Sequence, residues 1–337
     1  MGEQWPMPVG AMAPFDDQPG VWLRCALHTH TTESDGWLPP KSLRRYHAIK
    51  GYDVLAITDH DRLTPAPEGD DDLLLLGGAE LSLKAPASGG PLDVLALGVT
   101  ELPAVSRDAT LSEAAQAIRA AGGLAFVAHP VWTGLRTEEL DADAFADVSG
   151  MEIFNAGCEV EQGRGHANAH WDVWLSKGHR LVGIATDDLH TPGFESFLAW
   201  TMVHAREKSR DAVLDALRAG RFYATAGPRI TALAGDGHRL TIRTTPVRSI
   251  AFLAQPPMGT ALNAGRLEPA HHARRLPTAD GQSVEGQIDG DLLTGATVDW
   301  LPGLRYLRIV ITDEAGRIAW TNPMWPDAAA EGHVHAE

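Results

Sequence analysis

Short apolar runs alternate with amphipathic stretches over the first two thirds of the chain. The apolar runs, which have the length and composition of buried strands, span residues 21–27, 53–58, 73–78, 92–99, 124–128, 151–154, 181–185 and 197–203. Helical patterns lie between several of them, at residues 40–51, 111–121, 138–145, 167–176 and 210–219. Most of these patterns end near a glycine, and the first begins at a proline, as helices commonly do. Strands that alternate with helices predict an α/β fold with a parallel sheet or barrel covered by helices.

One connection interrupts this alternation. Residues 84–91 read KAPASGGP, a stretch of turn-forming residues that is far too short for a crossover helix. The strands on either side should therefore pair as an antiparallel hairpin. This hairpin disfavours a regular eightfold barrel and favours a distorted one.

The pattern changes near Arg229. Helical periodicity ends there, and short alternating runs separated by loops rich in Gly, Pro and Asp continue to about Trp325. Such runs predict a small all-β domain. The domains expected are a flexible segment at 1–20, the main α/β domain at 21–228, the small β domain at 229–325 and a solvated tail at 326–337.

Composition and charge narrow the class of function. The 337 residues carry a formal net charge of -16, whereas a nucleic-acid scaffold needs a basic face. The first residues lack the basic start and apolar stretch of a secretory signal, and no run approaches the ~20 apolar residues of a membrane span. Two distant cysteines imply no disulfide framework. We expect a cytoplasmic protein with a small-molecule substrate, no nucleic-acid partner and no membrane association, and leave its oligomeric state open.

Histidine and carboxylate side chains recur where the apolar runs end. The motifs are His28-Thr29-His30 followed by Asp35-Gly36, Thr58-Asp59-His60, Ala79-Glu80, His129-Pro130 and Asp188-Leu189-His190. Residues two apart on a strand face the same side, so His28 and His30 should project together. A capping role for Asp59, or a plain strand end at His129, would explain single motifs but not their shared position. Nitrogen and carboxylate ligands delivered from strand ends toward one point predict a metal site with more than one ion.

These motifs resemble those of the polymerase and histidinol phosphatase (PHP) superfamily of metal-dependent hydrolases. The later stretch is similar to its carbaryl-hydrolase-like (CehA/McbA) branch. The matching features there are Met151-Glu152-Ile153-Phe154-Asn155, Trp171-Asp172, Gly220-Arg221, Gly227-Pro228 and Trp320-Thr321-Asn322-Pro323. The resemblance covers most of residues 21–325, and it implies a distorted (β/α)7 barrel with a site built from two or three divalent ions.

The resemblance also implies the ligand sets. The ligands of the first ion would be His28, His30, Glu80 and Asp188. Glu80 would bridge to a second ion that also uses His129. The ligands of the third ion would be Asp35, His60 and His190. His60, His129 and His190 are also the candidate catalytic groups. Zinc, manganese and iron all suit such ligands, with two ions expected and up to three accommodated.

One ligand implied by the resemblance is missing. Many family members carry a histidine on the strand after the glutamate, just before a Leu-Gly or Val-Gly pair, and this chain has Leu95 there. The second ion would therefore be bound weakly or not at all. Asp93, on the same strand face, is one alternative ligand. His166 and His170, from a Gly-rich loop, are others, although a role as polar loop residues fits them equally well.

Hydrolysis by metal-activated water is the chemistry expected, because the sequence has neither a Gly-x-Ser-x-Gly motif nor a P-loop. Phosphoester hydrolysis is the first expectation, and the candidate phosphate-binding cations are Lys84, Arg136, Arg164 and Arg229. Hydrolysis of a carboxylic ester or carbamate is the alternative. Trp37 and Trp132 follow the Asp35-Gly36 and His129-Pro130 motifs and should rim the site, where they would give it an apolar wall, although packing under the loops fits them equally well. A non-catalytic metal- or ligand-binding module is the third interpretation.

Overall fold

The computed structural model describes residues 19–84, 91–140, 143–235, 239–265, 284–299 and 304–325. One compact unit comprises Gly20–Arg218, and a second begins at Ala219. Most of the predicted N-terminal segment, and all of the predicted tail at 326–337, lie outside the described residues. Within the described ranges, no helix has the length and apolar character needed to cross a membrane.

The first unit is a mixed α/β structure around one sheet. Its strands are β1 (Val21–Ala26), β2 (Val54–Ile57), β3 (Leu74–Lys84), β4 (Pro91–Leu97), β5 (Leu124–Val127), β6 (Gly150–Asn155), β7 (Val182–Thr186) and β8 (Trp200–Ala205). Its helices are α1 (Pro40–Ile49), α2 (Leu111–Ala120), α3 (Ala156–Gln162), α4 (Asn168–Ser176) and α5 (Arg210–Arg218). The strand order is β8-β1-β2-β3-β4-β5-β6-β7. Pairs β1–β2, β2–β3, β5–β6 and β6–β7 are parallel, which confirms the predicted α/β class.

The predicted antiparallel hairpin is present, with β3 and β4 paired from Gly78 opposite Leu97 to Lys84 opposite Pro91. The apolar run that predicted β3 stops at Gly78. The strand nevertheless continues to Lys84, because β4 pairs with it from Gly78 to Lys84. Glu80 therefore lies inside the strand and not after it, with Leu95 directly opposite.

Helix ends follow local chemistry. Helix α2 starts at Thr110, whose hydroxyl accepts from the Glu113 amide while the Glu113 carboxylate accepts in return. The predicted helix at 138–145 is wrong: over its described residues, 138–140 and 143–145, the one helical element is a single 3-10 turn, Asp143–Phe145. Leu140 and Phe145 are both buried. Five residues apart, they would fall about 140° apart around a helix, so one helix could not bury both.

Strands β8 and β7 stand at opposite ends of the first unit's strand order, and yet they contact each other. The Thr201 hydroxyl of β8 donates to the Ala185 carbonyl of β7 over 3.0 Å and accepts from the Ala185 amide over 3.2 Å. Just beyond the strand ends, Thr29 and Leu189 form a parallel bridge. The segment after β1 therefore lies beside the segment after β7, which brings two of the histidine motifs together.

The second unit is built from antiparallel strands. These are β9 (Phe222–Thr225), β10 (Ile230–Gly235), β11 (Arg239–Val247), β12 (Ser249–Leu253), β13 (Gly259–Asn263), β14 (Val284–Asp289), β15 (Leu292–Asp299), β16 (Arg308–Thr312) and β17 (Ile318–Thr321). One set is ordered β13-β12-β16-β17-β9 and the other β10-β11-β15-β14. Buried side chains alternate along β11 and β12, as expected for sheets with one packed face.

Candidate metal centre

Five connected segments deliver polar side chains to one place in the first unit. His28 and His30 follow β1, His60 follows β2, His129 follows β5, and Asp188 and His190 follow β7, while Glu80 projects from β3. Backbone contacts fix these segments against one another: the His30 amide donates to the Leu189 carbonyl over 2.9 Å, and His60 bridges in parallel to Glu80. All eight sequence-predicted ligands fall into three overlapping groups of side chains that could hold a metal ion.

The first group is His28, His30 and Asp188, and Glu80 of the second group lies against it. The Nε2 atom of His28 lies 3.1 Å from both Glu80 Oε2 and Asp188 Oδ1. The Nε2 atom of His30 lies 3.2 Å from the same two oxygens. Ligands about 2.0–2.1 Å from a tetrahedral ion are separated from one another by about 3.3 Å. The four nitrogen–oxygen separations of 3.1 and 3.2 Å match this spacing, as expected for atoms that share one ion.

Two atoms of this first group have no hydrogen-bond partner. His30 Nε2 and Asp188 Oδ1 are both buried and both unsatisfied, although they lie only 3.2 Å apart. An unsatisfied buried polar atom costs about 1–3 kcal/mol. Atoms at hydrogen-bonding distance that do not bond to each other, and that converge on a common centre, fit a divalent cation.

The second group is His28, Glu80 and His129. The other carboxylate oxygen of Glu80, Oε1, lies 2.9 Å from His129 Nε2, so the two oxygens of Glu80 face different groups. The resemblance implies that Glu80 bridges two ions, and each of its oxygens faces one of the two groups that would hold them. Leu95 is fully buried opposite Glu80 and offers no ligand atom.

None of the three alternative ligands for this group joins it. Asp93 lines the same cavity but belongs to no metal-binding group. His170 lies elsewhere, with its Nε2 atom 2.7 Å from the Leu135 carbonyl, and the ring of His166 lies 4.5 Å from that of Phe154, tilted by 36°. Among the described residues, the second group thus keeps the incomplete ligand set that Leu95 predicts.

The third group is His30, Asp35, His60 and His190. Asp35 lies 3.5 Å from each of the other three residues, and its side chain is 54% exposed. The Nδ1–H of His190 donates to the Asp188 carbonyl over 2.9 Å, which leaves Nε2 facing Asp35. This group is the most exposed of the three and forms the outer edge of the site.

Glu152, a residue that the sequence did not mark as functional by itself, orients the first and second groups. Its Oε1 accepts from His28 Nδ1 over 2.7 Å and from the Thr186 hydroxyl over 2.6 Å. Its Oε2 accepts from the His129 amide and from Asn155 Nδ2. The signal was available, because Glu152 is a charged residue inside the apolar strand GMEIFN. Such outer partners fix the tautomer and ring orientation of ligating histidines.

Asp59 acts as a local cap and belongs to no ligand group. One of its oxygens accepts from the Thr31 amide and the Ser34 hydroxyl, and the other accepts from the Thr31 and Thr64 hydroxyls. These bonds hold the loop that carries Asp35. The capping interpretation of the sequence is therefore confirmed for this aspartate.

Burial and charge shift the pKa values of the ligands in opposite directions. Burial alone would raise the pKa of Glu80 and Asp188, but His28 and the other imidazoles hold both well below the usual range. Burial would lower the pKa of His129, but hydrogen bonding and charge from Glu80 raise it to about 9. Burial likewise opposes the shift at His190, where Asp35 and Asp188 raise the pKa to about 9. A metal ion entering the site must displace protons from these imidazoles.

A cavity of about 380 Å³ opens over the three groups. Trp132 lines it, with its ring 5.1 Å from that of His129, as predicted. Trp37 does not line the cavity and is 70% exposed, so the prediction for this second tryptophan is wrong.

No lysine or arginine of the described chain lines this cavity. Arg136 pairs with Glu139, Lys84 and Arg164 are exposed away from it, and Arg229 belongs to the second unit. The four cations predicted to bind phosphate are therefore not at the site.

One solved structure resembles this chain in its fold. A two-domain protein from Bacteroides vulgatus, described as containing a predicted PHP-like metal-dependent phosphoesterase, matches with 17% identity and a TM-score of 0.52. The match covers 93% of this chain and 96% of that one. At this identity the likeness establishes a shared fold and nothing about activity.

Two further structures match more weakly. An amidohydrolase from Chromobacterium violaceum shares 18% identity at a TM-score of 0.39, over 50% of this chain and 88% of that one. A lesion-specific endonuclease from Pyrococcus furiosus shares 14% identity at a TM-score of 0.40, over 60% of this chain and 56% of that one. No family model matches the chain, and neither does any curated protein.

Proposed function

We propose that this protein is a metal-dependent hydrolase that uses metal-activated water. The observation that carries the proposal is the buried convergence of the side chains of His28, His30, Glu80 and Asp188, whose nitrogen and oxygen atoms lie 3.1–3.2 Å apart. Two of these atoms, His30 Nε2 and Asp188 Oδ1, are left without hydrogen-bond partners. A structural salt-bridge network would satisfy these atoms, because buried polar groups are almost always paired.

The residues would divide the work as follows. A bound divalent cation supplies a nucleophilic water with a pKa near 7 and polarises the scissile oxygen. Glu152 holds His28 with its Nε2 lone pair toward the centre, and Asn155 steadies Asp188 through a 3.1 Å hydrogen bond to Oδ2. His60 and His190, at the open edge, are placed to bind the third ion or to exchange a proton with the leaving group.

Phosphoester hydrolysis is the proposed reaction class. It is supported by the name of the Bacteroides vulgatus protein, whose fold this chain shares. Ester or carbamate hydrolysis is the second candidate. It is favoured by Trp132 in the cavity wall and by a described lining that holds no arginine or lysine to anchor a phosphate.

Finer features belong to the same proposal. The contact between Thr201 and Ala185 supports closure of the first unit's sheet as a distorted (β/α)7 barrel. The proposal also includes membership of the CehA/McbA branch, a division into domains at residues 21–228 and 229–325, and a cytoplasmic location. Two buried free cysteines support the cytoplasmic location.

Metal analysis followed by a substrate screen tests the proposal. The protein is purified without added metal or chelator, and its zinc, manganese and iron are measured per chain. Matched nitrophenyl phosphomonoesters, phosphodiesters, carboxylic esters and carbamates, together with single-stranded DNA, are then assayed in each metal. The proposal expects at least one equivalent of metal and metal-dependent turnover of one ester class. A protein that neither retains nor rebinds any of the three metals would overturn it in favour of a non-catalytic module.

A further inference from the structure

The cavity lining includes carboxylates that belong to no metal-binding group. Its lining includes the carboxylates of Asp35, Glu80, Asp93, Glu161, Asp188 and Glu195. Three of them, Asp35, Glu80 and Asp188, belong to the metal-binding groups, and the other three do not. Glu195 has a structural role, because it accepts from the His190 and Thr191 amides over 2.6 and 2.7 Å.

The Asp93 carboxylate has a side-chain hydrogen bond with Ser82 but lacks a partner at one of its two oxygens. It is 3% exposed, it lines the cavity, and its Oδ1 has no hydrogen-bond partner. A buried carboxylate oxygen without a donor costs about 1–3 kcal/mol or more, so its retention calls for a ligand that supplies one. Its backbone is fixed, because the Asp93 carbonyl accepts from the Ala128 amide over 2.9 Å.

The position of Asp93 sets its reach from the metal centre. Asp93 lies opposite Ser82 on β3, and Leu95, two residues on, lies opposite Glu80. Two residues along a strand span about 7 Å. Asp93 is therefore on the same face as Glu80, one step further along the cavity wall, where it would meet a substituent and not the scissile bond.

We propose that Asp93 binds an ammonium group on the substrate, and so selects substrates that carry a protonated amine a few bonds from the hydrolysed centre. This inference rests on the proposed function, because the metal ions hold the scissile group. An ammonium supplies the missing N–H donor and the opposite charge. A second anionic group is disfavoured by the surplus carboxylates and by the lack of lysine or arginine in the described lining.

Binding of non-hydrolysable phosphonates to the metal-loaded protein tests this assignment without turnover. Isothermal titration compares 2-aminoethyl-, 3-aminopropyl- and 4-aminobutylphosphonate with alkylphosphonates of equal length, namely propyl-, butyl- and pentylphosphonate. At the chain length that reaches Asp93, the amine should lower Kd at least about tenfold. Asp93→Asn should reduce that ratio below about twofold. Asp108→Asn, which removes the same charge from an exposed loop, should leave it unchanged.

Equal Kd values for amine and alkyl phosphonates at every length would overturn the assignment, as would failure of both series to bind. Loss of metal from Asp93→Asn would also overturn it, because Asp93 would then be a metal ligand. Failure of the proposed hydrolysis is a separate outcome, since it appears in the turnover screen while the Kd ratio is still measured.

Discussion

The Nδ1–H of His28 donates to Oε1 of Glu152 over 2.7 Å, and both side chains are buried from solvent. This bond fixes the imidazole with Nε2 toward Glu80 and Asp188. Glu152→Gln would place an amide N–H among the donors that surround the carboxylate. We expect metal affinity to fall about 10–100-fold, which is the usual effect of losing such an outer partner. Competition titration with a chromophoric chelator measures it.

Glu138→Gln is the matched control, because Glu138 is exposed and remote from the metal-binding groups. It should bind metal as the unmodified protein does. Unchanged affinity in Glu152→Gln would mean that Glu152 does not position His28.

Removing a ligand of the first group should abolish turnover. Asp188→Asn or His30→Ala withdraws one of four converging atoms, so we expect metal content to fall by about one equivalent and kcat/KM to fall at least about 1,000-fold. Circular dichroism should show the fold retained. His170→Ala is the control, because this histidine faces the Leu135 carbonyl away from the site. Activity near the original level in either ligand variant would contradict the metal assignment.

Leu95 offers a gain-of-function test. It is fully buried and directly opposite Glu80, so Leu95→His would place an imidazole beside the second group. We expect the metal content to rise by up to about one equivalent, since a site with one more ligand binds more tightly. Elemental analysis and calorimetry measure this. Adding His129→Ala should cancel the gain, and a gain that survives in the double variant would place the new ion elsewhere.

His47 predicts a pH dependence of folding that is separate from the metal site. It is buried against Tyr52 and Phe197, and burial lowers its pKa from 6.5 to about 4. Above pH 6.5 both the folded and unfolded chains are neutral here, so nothing is lost. As the pH falls from 6.5 to 4 the unfolded chain gains a proton that the folded chain refuses, and stability drops by about 3 kcal/mol.

Urea unfolding at several pH values compares the unmodified protein with His47→Leu. The difference in unfolding free energy between the two should shift by about 3 kcal/mol toward the variant between pH 7 and pH 4. A difference in unfolding free energy that stays constant with pH would show that the folded chain protonates His47 as readily as the unfolded chain does.

Local sequence patterns predicted the eight side chains that the structure gathers into groups able to hold a metal ion, and most of the first unit's strands. His28 and His30 share a face because their spacing is two, and Asp188 and His190 repeat that spacing beside them. What the pattern could not reveal was which residues meet across the sheet. Glu152 serves His28 from 124 positions away, and no local signal reports a partner at that distance.

The wrong predictions have related causes. The helix at 138–145 failed because Leu140 and Phe145 are both buried and one helix could not bury both, and Trp37 is exposed although it lies two residues after Asp35. Helix α3 was missed because it has only seven residues, though Asn155 caps its start by accepting from the Cys158 amide. Short elements carry too few positions for a period to emerge.

The backbone at Asp188 has a φ of 53°, and that at Asp61, next to His60, has a φ of 48°. Non-glycine residues held there cost of order 1–3 kcal/mol each, although aspartate tolerates this region better than most. At the edge that carries the metal-binding groups, the chain therefore loses some folding stability in order to hold these side chains in position. Laboratory evolution toward higher stability would first select substitutions at this edge that relieve the backbone strain. Each round would therefore need a check that metal is still retained.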